Sequence, residues 1–202
     1  LTHLTVQNPS VLWNRLRRLE ILSGFIDGFS AIFPALIVLT FIGQEESIGT
    51  IQSISAGIAA VLMYNLGKKV KHKDHPRVFG VWVAVTSLAI IIFSIIFSPT
   101  GALIYFIITA LVACFRWPSL SALMFEIVEM QEKANAKNHR YALIMDRETF
   151  LNVGRTGSLC LFILLYILNP ELTLRYGFLL SIIFQIACLI AMTDLTHRVT
   201  HS

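Results

Sequence analysis

Six apolar stretches, each close to the length of about 20 residues that a membrane-crossing helix needs, divide this chain. They are Leu19–Ile42, Ile48–Gly67, Val78–Phe97, Gly101–Leu123, Thr149–Leu168 and Tyr176–Thr193. Peptide groups in hydrocarbon must be satisfied within a helix or a closed barrel. Runs such as Ala89-Ile90-Ile91-Ile92-Phe93 lack the alternation of a barrel strand, so all six stretches are expected to be helices. All but three of the 16 Lys and Arg lie in the N-terminal segment, the second and fourth connections and the C-terminal tail. The exceptions are Arg175, in the fifth connection, and Arg116 and Arg155, inside apolar stretches. Cytoplasmic loops carry such an excess, so both termini are expected on the cytoplasmic side.

The composition agrees. Hydrophobic residues make up 55% of the chain and charged residues 14%, too few to cover a soluble domain of this length. The net charge of +4 comes from bases beside the spans, where topology and anionic headgroups account for them. No basic patch belongs to a separate folded domain, so nucleic acid is not an expected partner. Cys114, Cys160 and Cys188 all lie within apolar stretches, without a CxxC pair or Cys/His cluster. Neither a disulfide framework nor a metal site is expected, and no cofactor.

Residues 1–18 read as a cytoplasmic and interfacial lead-in with Trp13 at headgroup level, residues 19–193 as one six-helix bundle and residues 194–202 as a cytoplasmic tail. The turn at Ser98-Pro99-Thr100-Gly101 makes the third and fourth spans antiparallel neighbours. The fourth stretch keeps its helical register to about Met130. Gln131–Arg147 is the longest polar connection, with room for a short surface helix. Asn169-Pro170-Glu171 marks a turn between the fifth and sixth spans.

Charged residues inside a membrane are costly and point to function. At about 1.5 Å per residue, Asp27 lies about 12 Å into the first span from the cytoplasmic side. Arg155 lies at similar depth in the fifth, and Arg116 falls in the inner third of the fourth. These three charges share one layer on three helices. Either they form an interhelical network, with Glu126 or Glu129 at its edge, or each arginine snorkels to the headgroups on its long stem. Asp27, with a short stem, is expected to be paired or to meet water. A network there would gate the cytoplasmic entrance or bind a charged substrate or proton. Gln52, beside Thr50, Ser53, Ser55 and Gly57 in the second span, and Gln185 in the sixth either line an aqueous path or make ordinary interhelical hydrogen bonds. Gly24 and Gly28 form a small-residue face for close packing, and Pro34 and Pro118 are expected to bend their helices.

Two passages resemble the major facilitator superfamily of secondary transporters. Between the second and third spans, Ala60-Val61-Leu62-Met63-Tyr64-Asn65-Leu66-Gly67-Lys68-Lys69 stands where that family has Gly-x-x-x-Asp-Arg-x-Gly followed by two basic residues. Gly67, Lys68 and Lys69 match. Ala60, Tyr64 and Asn65 depart, so the gating role of the family's acidic residue does not carry over. Opening the fifth span, Asp146-Arg147-Glu148-Thr149-Phe150-Leu151-Asn152-Val153-Gly154-Arg155 is similar to the penultimate helix of some bacterial members. Arg15-Leu16-Arg17-Arg18 resembles the end of the family's central cytoplasmic loop, and the chain begins at Leu1 rather than Met. The resemblance implies the C-terminal six-helix half of a twelve-helix transporter. Its partners would be an N-terminal half, in the same gene or a separate chain, or a second copy.

An intramembrane protease or metal-dependent hydrolase needs a histidine in a span, and all six histidines lie at the flanks. The chain is not expected to be an enzyme. The expectation is an all-α, multi-pass protein of the lipid bilayer, in the bacterial cytoplasmic (inner) membrane, moving a small solute by alternating access. A structural or assembly membrane subunit with no transport path is the alternative.

Overall fold

A computed structural model of the chain describes residues 6, 9–41, 53, 56–64, 74–134 and 140–200, the side chains of 34, 35, 38, 39 and 134 aside. Among the described residues the regular structure is helical throughout, with no strand. The helices are α1 (Val11–Phe41), α2 (His75–Ile96), α3 (Pro99–Ala134), α4 (Arg140–Leu168), α5 (Pro170–Tyr176) and α6 (Leu179–Thr200). Residues 56–64 are also helical. Four helices, α2, α3, α4 and α6, are long and apolar enough to cross a membrane. Between 22% and 44% of their most apolar windows is buried, so most of that apolar surface faces outward. Ile95, Ile167, Leu168 and Ile183 are each more than 60% exposed. A soluble monomer rarely shows so much contiguous apolar surface. Lipid is its matching solvent, as in a multi-pass integral membrane protein.

Helix boundaries follow local capping chemistry. Ser98 opens α3: its carbonyl accepts from the Ala102 N–H and its hydroxyl from the Gly101 N–H at 3.1 Å. Pro99, at the first helical position, has no N–H to leave unpaired. The turn between α2 and α3 is therefore only Phe97-Ser98, and Phe97 takes the one described positive φ outside glycine, 29°. At the next turn Asn169 caps α5, its side chain accepting from the Leu172 N–H at 3.0 Å. The chain does not pass directly from that turn into the sixth span. It makes the seven-residue α5, turns at Gly177-Phe178, and starts α6 three residues later than the apolar pattern suggests. α1 begins at Val11, making residues 11–18 of the interfacial lead-in continuous with the first span. The connection after the fourth stretch is likewise mostly helix, split between the ends of α3 and α4.

α1 is the central element, packed most extensively against α4 and also against α6 and α3, while α2 lies against α3 and α6. The core has two layers. Trp13, Leu16, Leu19, Ile26, Phe79, Trp82, Leu123, Ile127 and Met192 belong to one. Phe29, Phe33, Ile37, Phe93, Tyr105, Phe162 and Phe178 belong to the other, an aromatic cluster in which Phe33 and Phe178 stack at 4.3 Å. On α1 the boundary between the layers falls between Ile26 and Phe29, where Asp27 is placed.

Contacts between helices give their relative directions. α1 and α4 run parallel: Arg17 meets Asp146, Glu20 meets Arg147 and Asp27 meets Arg155. Arg15, near the start of α1, pairs with Asp194, near the end of α6, so both ends of the described chain lie together. Arg15, Arg17, Arg18, Arg77, Lys133, Arg140, Arg147 and Arg198 all lie at that end. Arg175 is at the other, donating to the Ser94 carbonyl at 3.2 Å.

Candidate functional site

Two glycine contacts set up the site. Gly24 and Gly154 face each other across the α1–α4 crossing: a Cβ at Gly24 would overlap the Leu151 carbonyl oxygen, and one at Gly154 the Ile21 carbonyl oxygen. One turn further along, a Cβ at Gly28 would overlap the Ser158 hydroxyl. The two backbones touch, which only small residues permit. Asp27, with a side chain of one methylene, is thereby brought within hydrogen-bond reach of α4.

Arg155 of α4 donates to Asp27 Oδ2 from Nη2 at 3.0 Å and from Nε at 3.3 Å. Arg116 of α3 reaches the other carboxylate oxygen, Oδ1, at 2.5 Å. The same Arg116 nitrogen donates to the carbonyl and hydroxyl of Ser23, at 3.1 and 3.0 Å. Arg116 also lies over the rings of Trp82 and Trp117, 5.2 and 5.5 Å from their centroids, a favourable place for a cation. One carboxylate thus joins three helices. Arg116 and Asp27 are buried, their side chains 8% and 11% exposed, whereas Arg155 is 37% exposed. Both arginines point into this pairing rather than solely toward the headgroups.

Two guanidiniums share one carboxylate, leaving an excess of one positive charge, and Nε of Arg116 is buried without a hydrogen-bond partner. Arg155 also donates to the Asn152 side chain at 3.2 Å. Asn152 and Thr156 are exposed on α4. Further along the same helical face, Ile163 and Ile167 are exposed instead. On the face that carries Asn152 and Thr156, α4 is therefore polar beside the charge cluster and apolar beyond it, with the exposed Val153 on the flank.

A second tier of charge lies about two to three turns nearer the termini. Glu20, buried, accepts from Arg147 Nε at 2.7 Å, and Arg147 also holds Glu148 at 2.7 Å. Asp146 takes Arg17 Nε and Nη2 at 2.7 and 2.8 Å and the indole N–H of Trp13 at 2.8 Å. Sequence reasoning does not find these pairs, because charges at the edge of a span are ordinary there. The available signal is complementary spacing: Arg17, Glu20, Gly24 and Asp27 on one helix, Asp146, Arg147, Gly154 and Arg155 on the other.

The remaining candidates fall elsewhere. Glu126 is ten residues beyond Arg116 on α3, about 15 Å by helical rise, too far to join the cluster. Gln185 is buried between α6 and α2, where its side-chain oxygen accepts from Thr86 and Ser87 at 2.9 and 3.3 Å. That is the interhelical bonding expected of a packed polar side chain. Gln52, Gly67, Lys68 and Lys69 lie outside the described residues. Among the described residues no group of His, Cys, Asp and Glu could hold a metal ion.

In comparisons with known proteins, no family model, no curated protein and no solved structure matches this chain.

Proposed function

We propose that this chain is one half of a secondary transporter, a six-span bundle of the major-facilitator type that moves a small solute by alternating access. The observation that carries the reading is the Asp27–Arg116–Arg155 cluster, which joins three helices at membrane depth through a single carboxylate. Such a junction suits a gate. Its ion pairs link α1 to both α3 and α4, so that making and breaking them would couple the three helices. The polar surface of α4 at Asn152, Arg155 and Thr156 would line the solute path and face the missing half or a second copy. The excess positive charge suits a solute bearing an anionic group.

Topology supports the six-span count. Phe41, at the end of α1, packs on Phe97 at 5.0 Å, beyond the last residue of α2. α2 starts 22 residues earlier, about 33 Å away by helical rise. Phe41 and His75 therefore stand at opposite ends of α2, and the sequence between them contains the apolar stretch Ile48–Gly67. Grouping of the basic residues at one end supports a cytoplasmic location for that end.

The test is metabolite profiling of bacterial cells expressing the chain, alone and with any N-terminal half. Expression is expected to shift the distribution of at least one small solute across the membrane, and Asp27→Asn to abolish the shift at equal protein level. Profiles identical among wild type, Asp27→Asn and empty vector would favour the non-transporting subunit.

A further inference from the structure

We propose that a groove between the start of α1 and the end of α6 binds one anionic phospholipid. The groove encloses about 550 Å³, within the range of roughly 300–1,000 Å³ typical of small-ligand sites. Arg15, Arg18 and Asp194 stand at its polar end, and Ala187, Ile190 and Ala191 line its wall. Asp194 is occupied: it pairs with Arg15 and, at 3.0 Å, with Arg198. Arg18 is exposed and makes no hydrogen bond or ion pair among the described residues. Three guanidiniums and one carboxylate leave an anion-attracting corner with one free fork, a geometry that fits phosphate.

The other end of the groove shows what the phosphate is attached to. Ala187 and Ala191, one turn apart on α6, have side chains too short to fill the space beside them. From Ile190, 65% exposed, an apolar stripe continues through Ile186 and Ile183 toward the middle of the bundle. A free anion has no use for that stripe, whereas an acyl chain covers it. Arg18 immediately precedes Leu19, the first residue of the apolar stretch, so the charged corner is at headgroup level. Basic pockets between helices on the cytoplasmic side bind anionic headgroups for the same reason. This inference needs only the multi-pass membrane assignment, not the transport reading.

Native mass spectrometry of the purified chain tests it, with equimolar phosphatidylglycerol and phosphatidylcholine of identical acyl chains. Wild type is expected to retain one phosphatidylglycerol in preference to phosphatidylcholine. Arg18→Gln should reduce that preference about fivefold, the worth of one basic residue at a membrane surface. Lys133→Gln, a charge loss outside the groove, should leave it intact. Ala187→Trp, filling the wall, should lower retention of both lipids without altering charge. Equal retention of the two lipids by wild type, an unchanged preference in Arg18→Gln, or displacement of the lipid by millimolar inorganic phosphate would each overturn the proposal.

Discussion

Asp27 is the residue on which the charge layer depends, because it is the common acceptor for two cations. Replacing it leaves two guanidiniums without their counter-ion, one of them, Arg116, buried. Replacing Arg116 leaves Asp27 still bonded to Arg155. Removing one partner of a buried pair typically costs about 3–5 kcal/mol. Asp27→Leu is therefore expected to lower the melting temperature in detergent markedly, and Arg116→Leu by clearly less. Equal losses, or the reverse order, would mean that the carboxylate does not hold both arginines. Asp27, Arg116 and Arg155 stand out in the sequence because charge within apolar runs is rare and helical rise assigns each a depth. Glu20 and Arg147 do not stand out. They lie at the edge of their spans, where charge carries no such signal, and only the α1–α4 contact relates them.

At the scale of elements, the parallel contact of α1 with α4 positions everything else. Gly28→Ala would drive its new methyl into the Ser158 hydroxyl. Overpacking of this kind costs about 1–3 kcal/mol. Ser158→Gly in the same chain should recover part of the loss, because it removes the colliding atom. Gly57→Ala should be neutral, since a Cβ there meets nothing within 4 Å. Thermal unfolding of the four proteins checks all three statements, and a Gly57→Ala loss as large as that of Gly28→Ala would refute the packing argument. Half of this contact is legible in the sequence, as Gly24-x-x-x-Gly28. The facing half, Gly154-x-x-x-Ser158, is also present, but nothing in one strand of text says which small-residue faces meet. Element ends are less legible still. Pro170 after Asn169 ends one helix and opens another equally well, so the seven-residue α5 is invisible to a reading that takes the pair as a turn.

For the whole molecule, charge and helix direction agree. Bases collect at the end where the described chain starts and finishes, α1 and α4 leave that end side by side, and α2 and α3, between them in the sequence, form a hairpin. Both the hairpin and the segregation of charge are legible from spacing alone, since each depends on where residues fall along the chain. Which helix sits beside which is not, because outward faces as apolar as Ile163 and Ile183 look in sequence like core. The central claim is that the polar surface of α4 beside Arg155 faces water rather than lipid. Thiol labelling tests it most directly, in a background with Cys114, Cys160 and Cys188 replaced by Ser. Asn152→Cys, Thr156→Cys and Ile163→Cys are exposed in membrane vesicles to a membrane-impermeant maleimide with access to the cytoplasmic face. The account predicts fast labelling at 152 and 156 and none at 163. Protection of 152 and 156 equal to that of 163 would contradict it.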